Sequence, residues 1–119
     1  MPLQSEMDAI VAELEGAIGA IIVDYDGETV VSSANDFETH DLQVVGAYGG
    51  IFLDHLRRIA REHGLGKLAS FVINGREARL LHHALRDGYF IVVILRNDCC
   101  LSRARQRLEI AHDRIIEEF

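Results

Sequence analysis

The string IIVDYDGETV, Ile21 to Val30, ends an apolar run in Asp24-x-Asp26-Gly27. The stretch resembles a phosphatase nucleophile motif, in whose chemistry one carboxylate attacks phosphorus and the other handles the proton, with magnesium between them. A magnesium-dependent phosphatase centred on Asp24 is the sharpest enzymatic reading of the chain. Against it, Glu28 stands where that motif carries threonine, the downstream Ser/Thr, Lys and paired Asp motifs cannot be assigned, and 119 residues are few for such an enzyme. A hairpin turn accounts for Asp26 and Gly27 without chemistry, and the later ligands of a calcium-binding loop are missing.

The other reactive residue types give weaker signals. GLGKLAS, Gly64 to Ser70, lacks the spacing of a phosphate-binding loop and follows a helical pattern instead of a strand, so it reads as a helix stop. The six histidines form no metal signature. His82 and His83 on a strand must point to opposite faces, so they cannot share one ion directly. Cys99 and Cys100 are adjacent, a spacing foreign to zinc or dithiol sites, and read as reduced structural cysteines. Arg57, Arg58 and Arg61 form one basic cluster and Arg103 to Arg107 another. The second reads as solvated helix surface; Arg58 is a candidate for contact with an acidic protein surface.

A formal charge of −7 argues against a general nucleic-acid or anionic-membrane binder. No apolar run approaches the roughly 18 residues of a membrane span, and no leader pattern opens the chain, so a cytoplasmic protein without membrane insertion or cofactor is expected. With 49% hydrophobic and 26% charged residues, the chain suits one globular domain over residues 1–119.

Positioning comes from a regular series of elements. Asp26-Gly27, Asn74-Gly75 and Asp87-Gly88 each separate β-like runs and predict three hairpin turns. The runs AIGAIIVD and YFIVVILR are apolar at odd and even positions alike, which places them at the centre of a sheet, whereas LASFVIN is short and suits an edge. EARLLHHALR reads as a strand from the turns at both its ends. A first helix is expected around Leu3 to Leu14, with Ser5 and Asp8 as a capping box and Gly16 as its stop. A last helix should start near Leu101 with Asp98 as cap, and bury Leu101, Ala104, Leu108, Ala111 and Ile115. The order α-β-β-α-β-β-β-α, with hairpin-connected strands, is an α+β domain on an antiparallel sheet.

The middle helix, from about Glu38 to His63, carries Gly46, Gly49 and Gly50 in its interior, each costing about 1 kcal/mol relative to alanine. A helical wheel puts Val45, Gly49, Phe52, Leu53, Leu56, Ile59 and Ala60 on the face toward the sheet. It leaves Gly46 and Gly50 on a flank, with Arg57 continuing the edge, as a small-residue groove for a second helix. Val44, Ala47 and Ile51, followed by His55 and Arg58, form an outward strip suited to a partner.

In order and spacing, GAIGAIIVDYDGETVVSS, DLQVVGAYGGIFLDHLRRIAREHGLG and SFVINGREARLLHHALRDGYFIVVILRND resemble the roadblock / dynein light-chain domain family over nearly the whole chain. The resemblance extends in particular to stand-alone prokaryotic members of the MglB kind. The resemblance implies a profilin-like α/β/α sandwich, with a five-stranded antiparallel sheet carrying the middle helix on one face and the terminal helices on the other. It also implies a homodimer formed through third strands and middle helices, with Gly46, Gly50, Arg57, Phe71 and Ile73 as its candidates here. Many such dimers bind a small Ras-like GTPase across the paired helices, for which Val44, Ala47, Ile51, His55 and Arg58 are the candidates. MglB-like members promote GTP hydrolysis without donating a catalytic residue. The alternative function is a purely structural scaffold dimer; the phosphatase at Asp24 is a distant third.

Overall fold

The computed structural model describes residues 2–119. Along the chain run α1 (Pro2–Glu13), β1 (Ala17–Val23), β2 (Thr29–Ala34), α2 (Thr39–Glu62), β3 (Ser70–Asn74), β4 (Ala78–Ala84), β5 (Phe90–Arg96) and α3 (Leu101–Ile116). The single proline occupies the first helical position of α1, where its fixed φ suits a helix and its missing N–H costs nothing. Ser5 therefore lies inside α1, and the expected capping box is corrected. Gly16 supplies the stop, at φ 93°. Glu38 caps α2 by accepting from the Asp41 amide at 3.0 Å, and His63 ends it. Backbone N–H groups of His40 and Asp41 hold the Glu38 carboxyl below its usual range. At α3 the cap position belongs to Cys100, without a side-chain bond, so Asp98 is not the cap that the sequence suggested.

The turns differ in detail. Asp87 and Gly88 both take left-handed φ, 59° and 83°, as a tight primed turn requires. Gly27 is left-handed as well, at φ 83°. Gly75 is not among the left-handed residues, and its amide instead donates to the Ala78 carbonyl at 2.8 Å.

The strands form one antiparallel sheet in the order β2-β1-β5-β4-β3. The two all-apolar strands take interior positions because both their faces are covered, and β3 is an edge. Ala20, Ile22, Ile91, Val93 and Leu95 join the buried stripes of α1 and α3 on one face. Ile21, Val23, Phe90, Val92 and Ile94 meet Leu42 and Leu53 of α2 on the other. The result is the profilin-like α/β/α sandwich that the resemblance implied. Arg107, one of the three arginines in the terminal cluster expected to be solvated, is instead largely buried, reaches Glu6 at 3.1 Å and Glu13 at 2.9 Å and ties α3 to α1.

The buried face of α2 is rotated from the one the wheel assigned. Leu42, Gly46, Gly49, Leu53 and Ala60 are buried, whereas Phe52 and Ile59 are each 49% exposed. Close approach decides this. A Cβ on Gly46 would lie 2.7 Å from Val23 Cγ2, and one on Gly49 would lie 2.9 Å from His82 Nε2. The helix rests on the sheet through its smallest residues, and the bulky ones are displaced to its flanks.

Candidate protein interface

The footing of α2 fixes which of its sides remain open. Gly46 stands over Ile21 and Val23 of β1, Gly50 over Phe90 and the turn glycine Gly27, and Gly49 over His82 and Phe90 of β4 and β5. In steps of about 100° per residue, the wheel turns from Gly46 past Gly49 to Leu56, Val45, Phe52 and Ile59. These last four therefore form the flank turned toward β3. α2 is offset toward β1 and β2, the elements of the sheet it contacts most.

The far side of that sheet face is thinly covered. Phe71 and Ile73 pair across from His82 and Leu80, and alternation along the strands puts all four on the α2 side of the sheet. Phe71 and Leu80 are half-buried, and Ile73 is 37% exposed. The candidates Phe71 and Ile73 thus border, with Phe52 and Leu56, an apolar trough between α2 and the edge strand.

The other three dimer candidates do not join them. Gly46 is filled from within by β1, and Gly50 turns toward the chain's own Phe90 and β1–β2 turn with a Cβ's room to spare, so the two do not form one open groove for a second helix. Arg57 lies on that same side, beside the β4–β5 turn residues Asp87 and Gly88. The outward strip stands where the sequence put it: Val44, Ala47, Ile51, His55 and Arg58 are all exposed. Tyr48, 60% exposed, sits at the edge of this strip on the side of Ile59, and its spacing of four from Val44 and three from Ile51 is readable in the sequence.

The remaining candidates resolve into structure. The Asp24 carboxylate accepts from the amides of Asp26 at 2.9 Å and Glu28 at 3.0 Å, closing the β1–β2 turn. Among the described residues no group of three or more His, Cys, Asp or Glu side chains is placed to hold a metal ion. No helix among them is long and apolar enough to cross a membrane.

His82 and His83 do face opposite ways. His83 Nε2 lies 3.1 Å from His112 Nδ1 of α3, and burial, followed by the charge of His112, lowers the His83 pKa. His82 is 1% exposed, stacks on Phe71 with ring centroids 4.1 Å apart, and has no hydrogen-bond partner for either ring nitrogen. Burial pushes its pKa down to about 4, so the ring is neutral at pH 7. Cys99 is buried and Cys100 exposed. Burial raises the Cys99 thiol, which suits a structural role.

No protein-family model matches the sequence, and no curated protein matches it. Solved structures do. A roadblock/LC7 domain from Streptomyces avermitilis superposes with a TM-score of 0.87 at 12% identity, covering 94% of this chain and 92% of its own. Myxococcus xanthus MglB gives 0.87 at 18% identity, over 98% and 94% of the two chains. Profilin IA of Acanthamoeba castellanii gives 0.66 at 16%, over 97% of each. Identities this low speak to architecture, and on that evidence the chain has the roadblock/LC7 fold that MglB also has, built on the profilin-like sandwich.

Proposed function

We propose that the chain is a homodimeric adaptor or regulator that binds a small Ras-like GTPase through its middle helices. The observation that carries this reading is α2 itself. A helix packed on a sheet normally buries one apolar face and hydrates the other, yet α2 also exposes Val44, Tyr48, Ile51, Phe52 and Ile59, between 39% and 60% each. Contiguous apolar surface of that kind marks a protein interface. Its likeness in fold to MglB supports a GTPase as the partner.

The two open sides have separate roles. The trough between α2 and β3, edged by Phe71 and Ile73, takes the same elements of a second copy: strand pairs with strand, and Phe52 and Leu56 meet their counterparts. The outward strip of Val44, Ala47, Tyr48, Ile51, His55 and Arg58 then lies on top of the pair and receives the GTPase. The regulator supplies shape to the partner's switch segments and donates no catalytic group, and hydrolysis is promoted by repositioning the partner's own residues.

The test is co-purification of this chain with candidate small Ras-like GTPases, in their GDP- and GTP-loaded forms, followed by GTP turnover with and without the chain. Binding that Ile51→Asp abolishes while the chain's oligomeric mass is unchanged is the expected result. A dimer that binds no GTPase in either nucleotide state would sink the regulator reading and leave the scaffold.

A further inference from the structure

The C-terminal end of α2, the loop that follows it and the β4–β5 turn line an open cavity of about 810 Å³. Arg57 and Arg61 border it from the helix and Lys67 from the loop. None of the three forms an ion pair with a carboxylate within 4 Å among the described residues. A helix dipole favours a cation at this end, which accounts for Arg61 alone. The carbonyls there are already engaged: Ile59 accepts from the His63 amide at 3.1 Å, and Ala60 from the Leu65 amide at 2.8 Å. Three cations from two segments, gathered on one concavity of a chain whose net charge is −7, remain to be explained.

We propose that this cavity binds a small phosphorylated molecule, a mononucleotide in its simplest form. Guanidinium and ammonium groups are the side chains suited to a phosphate. Leu68, Leu85 and Ala84 give the cavity an apolar lining for a planar body. Asp87, from the β4–β5 turn, supplies an acceptor for a sugar hydroxyl or a ring amine. The volume falls in the range of roughly 300–1,000 Å³ typical of small-ligand sites. The overall negative charge repels a polyanion at long range, which selects a single nucleotide over a nucleic acid strand. The cavity's cations lie outside the outward strip of α2, so ligand binding and GTPase binding are read independently.

Isothermal titration calorimetry of the full chain with adenosine 5′-monophosphate, guanosine 5′-monophosphate, adenosine and inorganic phosphate tests this. One or both nucleotides should bind at one site per chain, and adenosine and phosphate at least tenfold more weakly. Arg57→Ala with Arg61→Ala should weaken nucleotide binding tenfold or more, and Arg76→Ala, on the β3–β4 turn, should leave it unchanged. Lys67→Ala, in an exposed loop, gives the same reading should the double variant fail to fold. Asp87→Ala, which removes the acceptor, should weaken nucleotide binding relative to phosphate. Absence of saturable binding up to about 1 mM, binding indifferent to Lys67 and the two arginines, or phosphate binding as tightly as the nucleotides would each overturn the proposal.

Discussion

At the scale of single residues, the three glycines of α2 do different work. Gly46 has no room for a methyl group beside Val23, whereas a Cβ on Gly50 would meet nothing nearer than 3.8 Å. Gly46→Ala should therefore lower stability by about 1–3 kcal/mol through overpacking, and Gly50→Ala should raise it by up to about 1 kcal/mol through helix propensity. Denaturant melts of the two variants separate these outcomes; equal effects would refute the assigned footing. A helical wheel weighted by hydrophobicity could not see this, because a glycine that permits contact carries no apolar signal while Phe52 and Ile59 carry a strong one.

His82 makes a second residue-scale prediction. Its pKa is lowered from 6.5 to about 4 in the folded chain, so between those values the unfolded chain binds more protons. Stability is then fully present above pH 6.5 and falls as the pH drops toward 4, by about 3 kcal/mol at most from this residue. His83, lowered for the same reason, adds in the same direction. His82→Leu should flatten the pH dependence of the melting temperature over that window. That the two rings face opposite ways was readable from their adjacency on a strand; that His82 lies unpartnered against Phe71 required the register of β3 on β4.

At the scale of elements, the positions of the strands were legible because turn chemistry and double-sided apolarity are local. Asp-Gly pairs mark reversals, and a strand apolar on both faces belongs inside a sheet. Helix starts were less legible where two signals compete: Pro2 opened α1 ahead of Ser5, and Cys100 took the cap position from Asp98. The edge strand β3 was identified, but which flank of α2 accompanies it was not, since that depends on the lateral offset of helix on sheet. Ile73→Lys places a charge in the trough beside β3 and should shift a dimer toward monomer at least tenfold in dissociation constant, read by light scattering across a dilution series, while the thermal unfolding of the monomer changes little. Arg58→Ala, on the outward strip, should leave the mass unchanged.

At the scale of the whole molecule, two apolar layers enclose the sheet unequally. α1 and α3 together cover one face, tied by the Arg107 ion pairs, and a single helix attends to the other. The offset of α2 means that β1 and β5 are shielded on both faces by the chain itself, whereas β3 depends on what lies beside it. Amide hydrogen exchange should reveal this as a gradient across the sheet. The central strands should exchange at a rate set by global unfolding and independent of protein concentration. The outward amides of β3 should exchange rapidly in dilute solution and slow as the concentration rises, so that the edge of this sheet reports how much company the molecule keeps.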